Sequence, residues 1–299
     1  MQAPSTFRTI SNVAGKRLNS VRTPAVAAVS GSFPLDLELS LRRIERTIRD
    51  AQARGARLIV FPEAALGGYP CEETGSRLPP TLTRESEVFA RLSKIAGRSV
   101  VCIGYTEAAP GGPFASAICL SEDGVLGHHR KVHVPPGEKA VLRPGDGFAA
   151  FDTPVGRVGM LICYDKVFPE AARNLALDGA EIIASMAAWP VCRLRPAAVI
   201  REDRQVRHFN ALDVARAVEN QVVWISANHH GTLGRIRFPG QAKVVDPDGR
   251  LLASTGARTG LALAHVDLRA AVRSAREELF HLRDRVAGAY GAGSVACAA

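Results

Sequence analysis

The sequence predicts an α/β (α+β) chain built as a four-layer-type α-β-β-α sandwich, with two mixed β-sheets face to face and helices outside them. Three observations lead there. Two portions that alternate strand and helix patterns flank a centre made of hairpin patterns. The longest apolar runs are strand-length, as strands buried in a core require. No 20–50-residue repeat and no linker interrupts the chain, so residues 23–290 read as one domain between an N-terminal arm (1–22) and a C-terminal tail (291–299).

"PAVAAVS" (24–30) is a short apolar strand. The next stretch, "LDLELSLRRIERTIRDAQARG", places Leu37, Leu41, Ile44, Ile48 and Ala51 at helical spacing, and Gly55 is positioned to end that helix. "ARLIVFPE" (56–63) is a buried strand whose end is marked by Pro62. A second helix is predicted from about Arg84 to Ala96, then the strand "SVVCIGY" (99–105). In the centre, "FASAICLSEDGVLGHHRKV" reads as strand, Asp-Gly turn, strand, and "GFAAFDTPVGRVGMLICYD" repeats the form around Pro-Val-Gly. "FPEAARNLALDGA" follows as helix, "EIIASMA" as strand, a long helix runs through "NALDVARAVEN", and "QVVWISAN" is a strand. "GQAKVVDPDGRLLAST" closes the pattern as a hairpin with Asp248-Gly249 at its tip.

Composition narrows the class. At 299 residues, 46% hydrophobic and 22% charged, the chain resembles an ordinary soluble globule with a large core, and no run is long enough to span a membrane. The formal charge of +9 is spread among acids, as in "LRRIERTIRD" and "REDRQVRH". That favours a solvated basic surface over a nucleic-acid interface. Six cysteines (71, 102, 119, 163, 192, 297) stand apart with no CxxC pair, which argues against a zinc site or thioredoxin chemistry. Reduced thiols and a cytoplasmic location are expected. Cys102 and Cys119 lie inside strand patterns and read as core. Residues 1–22 lack both acidic residues and an apolar h-region, and are expected to form a loose arm, not a secretory signal.

Three polar residues fall at or near strand ends: Glu63, Lys131 and Cys163. Singly, each has a bland reading: a carboxylate favouring a helix dipole, a surface cation, a core thiol. Strand ends on one edge of an α/β core are also where loops converge into a pocket. Together the three residues form a usable set. A thiol becomes a strong nucleophile when a base or cation activates it. A glutamate can take its proton, pass it to a leaving amine and then activate water, and an ammonium can hold the oxyanion, with the Tyr164 backbone N–H as second donor. His129 and His133, spaced i, i+4, would suit metal ligation on a helix; here the stretch reads as strand, so no metal is expected.

At these residues the chain resembles the nitrilase superfamily of carbon–nitrogen hydrolases, from about Pro24 to Tyr290. "FPE" carries that family's glutamate at Glu63, "RKVHVPPGE" its lysine at Lys131 with a supporting glutamate at Glu138, and "ICYD" its cysteine at Cys163. "FPEAAR", "ARAVENQ", "SAN" and "VVDPDG" match secondary landmarks. The resemblance implies the same sandwich, a Glu-Lys-Cys triad, no cofactor, and pairing into homodimers or higher homo-oligomers. Two departures stand out: Ser30 replaces the usual Gln, and "MAAWP" is apolar before Trp189 where the family is commonly polar.

Members that cut nitriles tend to carry Cys-Trp-Glu; this chain has Cys163-Tyr164-Asp165, closer to the amidase and carbamoyl-hydrolase branches. The expected substrate is a small amide or N-carbamoyl compound, with Glu138 positioning Lys131 or the substrate amide. Tyr69, Tyr164, Trp189 and Lys166 are candidate contacts to substrate or oxyanion. Lys166, Arg193 and Arg195 follow strand ends and could grip a substrate carboxylate, although solvated surface cations are the preferred reading. The alternatives are nitrile hydrolysis, acyl transfer to an amine, a non-catalytic metabolite-binding member, or a redox thiol protein, which would need a second cysteine beside Cys163.

Overall fold

The computed structural model describes residues 23–70 and 79–290. The expected arm and tail, together with Cys71 and Cys297, lie outside the described residues. In chain order the elements are β1 (Ala25–Gly31), α1 (Leu37–Ala53), β2 (Ala56–Val60), α2 (Glu87–Ala96), β3 (Val100–Glu107), β4 (Phe114–Ser121), β5 (Gly124–Arg130), β6 (Ala150–Thr153) and β7 (Gly156–Ile162). They continue as α3 (Pro169–Leu177), β8 (Ile182–Ala187), α4 (Arg204–Asn220), β9 (Val223–Leu233), β10 (Ile236–Pro239), β11 (Lys243–Val245), β12 (Leu251–Ser254), β13 (Gly260–His265) and α5 (Leu268–Glu278).

Local chemistry sets the helix ends. Asp36 accepts from Leu39 N at 2.7 Å to cap α1, and Gly55, at φ 85°, turns the chain out of it. The Asp203 carboxylate caps α4, accepting from Gln205 N at 2.9 Å. α2 starts at Glu87, three residues later than the expected Arg84, because Ser86 N closes a turn onto Thr83 O first. Three elements were not anticipated: β10, β13 and α5. β10 is only four residues long, and β13 ("GLALAH") follows a polar Gly-Thr stretch. α5 buries only Leu268 and Val272, too few apolar positions for a helical period to stand out.

The hydrogen-bonded order is β5-β4-β3-β2-β1-β9-β8-β7-β6. β1/β2, β2/β3, β7/β8 and β8/β9 are parallel, and the hairpins are antiparallel. β1 meets β9 only through Ser30↔Asn228 and Gly31↔His229, so the two sheets are joined along one short seam. The side-chain period of two then sorts residues into layers. Val26, Ala28, Leu58 and Val60 meet Met160, Ala184, Met186 and Ile225 between the sheets. Ala27, Val29, Ile59 and Phe61 pack outward on Ile44 of α1 and Phe89 of α2. Leu161, Ile183 and Trp224 pack on Leu175 of α3 and Ala217 of α4. The result is helix, sheet, sheet, helix, as the sequence predicts. Cys102 and Cys119 sit opposite one another on β3 and β4 as buried free thiols in the central layer.

Candidate active site

Four strands end at one place. Phe61-Pro62 carries β2 into Glu63, Lys131 follows the last residue of β5, Cys163 follows β7, and Ala188 follows β8. Glu63 can tuck in because β3 passes close behind it: a Cβ on Gly104 would lie 2.5 Å from Ala64 N and 2.7 Å from Glu63 Cα. Cys163 itself has φ 49° and opens a 3-10 turn, Cys163–Val167. A left-handed non-glycine residue costs about 1–3 kcal/mol and tends to mark a functional turn.

The side chains meet around one ammonium. Lys131 Nζ donates to Glu63 Oε1 at 2.7 Å and to Glu138 Oε2 at 2.6 Å. The second oxygen of Glu63 accepts from Ala188 N at 2.9 Å, and the second oxygen of Glu138 accepts from the Tyr69 hydroxyl. Lys131, Glu138 and Glu63 are 0%, 1% and 2% exposed. An ammonium has three N–H donors, so two are held by carboxylates and the third is left for another acceptor. Cys163, Tyr69, Glu138, Tyr164 and Trp189 share the lining of a cavity of about 340 Å³.

Burial and charge set the protonation states. Burial pushes the Glu63 carboxyl up to about 7, with Lys131 pulling against it and Glu138 reinforcing it. Burial works against the Lys131 ammonium, but Glu138 and Glu63 outweigh it and hold its pKa above the ordinary lysine value. Burial, and then the Glu63 charge, push the Cys163 thiol well above the ordinary cysteine value, with Lys131 opposing. The resting site therefore holds a thiol beside a carboxylate poised near neutrality. That arrangement suits general-base activation of the nucleophile rather than a standing thiolate.

Several supporting residues were not anticipated. Asp165, two positions after Cys163, clips two loops together. Its Oδ1 accepts from Val132 N at 3.2 Å, His133 N at 2.8 Å and His133 Nδ1 at 3.0 Å. Its Oδ2 accepts from Ile162 N and His129 Nε2, both at 3.1 Å. The bonds bracket Lys131 on one loop and Cys163 on the other. His129 and His133 are thus partners of a carboxylate. Hydrogen bonds from these donors outweigh burial and hold the Asp165 carboxyl well below its ordinary value. Its contribution to stability is therefore present above the unfolded-chain pKa and is lost as pH falls through the lower folded value. Asp165→Ala is expected to lower stability by about 3–5 kcal/mol, because buried N–H groups lose their acceptor. Urea unfolding at neutral pH measures it, and an unchanged midpoint would contradict it.

Asn228 pins the other wall. Its Oδ1 accepts from Trp189 N at 2.8 Å and its Nδ2 donates to Trp189 O at 3.1 Å, which aims the neighbouring Ala188 N–H at Glu63. His229 Nε2 donates to the Glu63 carbonyl at 2.7 Å. Burial pulls the His229 imidazole down to about 4, so the ring is neutral at pH 7. "SAN" was a legible landmark for Asn228, and Asp165 stood in the Cys163-Tyr164-Asp165 motif, but nothing local marked the partners of Asp165 or of His229.

One expected contact is corrected. Lys166 does not face the cavity: its ammonium is fully buried and bonded to Asp213 Oδ1 at 2.8 Å. Asp213 and the Phe209 and Trp189 rings, whose centroids lie 3.2 and 5.2 Å from its Nζ, hold it in the interior. Arg193 does line the cavity, and Arg195 is exposed. Cys192 lines the same cavity as Cys163, a proximity that sequence spacing had hidden.

The carbon–nitrogen hydrolase family model matches residues 25–277. An N-carbamoylputrescine amidase of Solanum tuberosum is 31% identical over 260 residues, covering 79% of this chain and 83% of that protein. A nitrilase of Pyrococcus abyssi is 30% identical over 244 residues, covering 78% and 86%. The crystal structure of a carbon–nitrogen hydrolase from Helicobacter pylori G27 superposes with a TM-score of 0.77 at 26% identity, over 89% of this chain and 96% of that one.

Proposed function

The chain belongs to the carbon–nitrogen hydrolase family, and on that premise we propose that it hydrolyses a small linear amide or N-carbamoyl compound through a thioester on Cys163. Glu63 takes the Cys163 proton as the sulfur attacks the carbonyl carbon. The Lys131 ammonium and the Tyr164 backbone N–H stabilise the oxyanion. Collapse of the tetrahedral intermediate breaks the carbon–nitrogen bond, and Glu63 returns the proton to the departing ammonia or amine. Water then attacks the thioester with Glu63 again as base, releasing the acid and restoring the thiol. Tyr69 holds Glu138, and Glu138 holds Lys131.

The observation that supports this reading is that Cys163 and Glu138 line one cavity, with Lys131 buried beside it and bonded to both Glu138 and Glu63. The Glu63 and Lys131 charges lie close enough to act on the Cys163 thiol. The Cys163-Tyr164-Asp165 motif favours amides over nitriles, and similarity to the potato amidase supports the carbamoyl side. Association into a homodimer or larger homo-oligomer in a reducing, cytoplasmic setting belongs to the same proposal. Four free cysteines among the described residues accord with such a setting.

A panel of amides, N-carbamoyl compounds and nitriles, assayed by ammonia release with intact-mass detection of an acyl adduct, tests the proposal. No turnover across the amide and carbamoyl arms, with no adduct on Cys163, would refute it. Tyr69→Phe removes one donor from Glu138 and is expected to lower kcat/KM roughly tenfold, the value of about one buried hydrogen bond to a charged group. Unchanged kinetics in that variant would show that Glu138 needs no anchor.

A further inference from the structure

Behind the nucleophile lies a second buried charge cluster that the proposed reaction does not use. Lys166 leaves the same 3-10 turn as Cys163 and donates to Asp213 Oδ1 at 2.8 Å. Lys243, on β11, donates to Asp213 Oδ2 at 2.7 Å, and Trp224 Nε1 donates to Oδ1 at 2.8 Å. Lys166 and Asp213 are 0% exposed and Lys243 3%. Two ammoniums sharing one carboxylate leave a formal charge of +1 inside the protein. The Phe209 ring lies beneath both, its centroid 3.2 Å from Lys166 Nζ and 4.1 Å from Lys243 Nζ, so its electron-rich face offsets part of that charge.

An uncompensated buried cation is costly, and an apolar residue at either lysine position would leave a neutral pair instead. The active centre explains why the surplus is tolerated. Glu63, Glu138 and Lys131 together carry a formal −1, also fully buried. Cys163 belongs to the central core layer with Trp189 and Phe209, the rings on which Lys166 rests, and its thiol faces the acidic cluster. With Glu63 ionised the two clusters carry opposite formal charges, and the buried Asp165 carboxylate on the same turn is a further anion, bonded to His129 and His133.

We propose that Lys166, Asp213 and Lys243 form an electrostatic positioning cluster whose single positive charge favours the negative charge that develops on the Cys163 sulfur and the oxyanion. The inference rests on reading Cys163 as the nucleophile. Lys166 acts through its field, without touching substrate, and because it shares the turn with Cys163 it is given the larger effect. Burial pulls the Lys166 ammonium down to about 8, Asp213 holds it up, Lys243 lowers it further and a charged Cys163 raises it, so sulfur and ammonium are electrostatically linked. The other charged or titratable groups around the sulfur are Glu63, Lys131, Glu138 and Tyr69, with Tyr164, Cys192, Arg193 and Arg204 on the shared cavity wall and Asp165 on the same turn, and the test leaves all of them in place.

The test is carbamidomethylation of Cys163 by iodoacetamide, followed residue by residue by mass spectrometry across pH in the full-length protein. Lys166→Met leaves Asp213 paired with Lys243 as a neutral core pair. The expected result is a fall of about 3- to 10-fold in the alkylation rate at pH 7, where Lys166 is still ammonium, with the gap to wild type closing as pH rises past about 8 and Lys166 loses its charge. Lys243→Met should lower the rate the same way by less. Profiles that superimpose on the wild type in both variants would overturn the proposal, whatever happens to thermal stability. If Lys166→Met does not fold, the Lys243→Met profile decides alone. Iodoacetamide needs no substrate, so this outcome is independent of whether any amide is turned over.

Discussion

Cys163→Ala is expected to abolish turnover, with a loss of about 10⁴-fold or more, as removal of a covalent nucleophile from a coupled set does. The substitution removes only a sulfur from a residue already held at φ 49°, so backbone and neighbours keep their places. Lys131 still binds Glu63 and Glu138, and any residual rate reports what that electrostatic frame achieves alone. Cys163→Ser is expected to be nearly as inactive, because Glu63, poised at about 7, is a poor base for a hydroxyl. Ammonia release with the best substrate of the panel measures the loss, and intact mass should show no acyl adduct in either variant. Wild-type turnover in Cys163→Ala would remove the covalent mechanism.

Glu63→Gln is the second large effect, a drop of about 10²–10⁴ in kcat, the usual share of a general acid–base. Its signature is in the pH profile. The base must be ionised to take the thiol proton, and its pKa is raised from 4.5 to about 7. Wild-type kcat/KM should therefore rise with pH through a midpoint near 7, and the glutamine variant should lose that limb. Stability runs the other way. A carboxyl raised by folding contributes stability that is fully present below its unfolded pKa and is lost as pH rises through about 7. At pH 8 the glutamine variant should unfold no earlier than wild type while remaining almost inactive. An unchanged acid limb in Glu63→Gln would assign that titration to another group.

The layers of the fold were legible because they follow from side-chain period. Strands such as β2 and β8 are mostly apolar runs, interrupted only by Arg57 and Ser185, and α1 repeats its buried face at Leu41, Ile44 and Ile48. β10, β13 and α5 escaped because each is short or presents too few buried positions to show a period. The site divides in the same way. Glu63, Lys131 and Cys163 announced themselves as polar residues at the ends of apolar runs, where a charge is expensive without a partner.

Sequence alone marked the polar residues at the strand ends and the family pattern they fit, because local periodicity and ordered motifs are written along the chain. Tertiary structure alone decided their company. It bound Asp165 to the loops on both sides of the site, set Asn228 and His229 behind Glu63, and drew Lys166 inward to Asp213. Those partners stand between 3 and 166 positions apart in the chain. Hydrogen bonds and burial act through space, and a charge reveals its partner only when the sheets have closed around it.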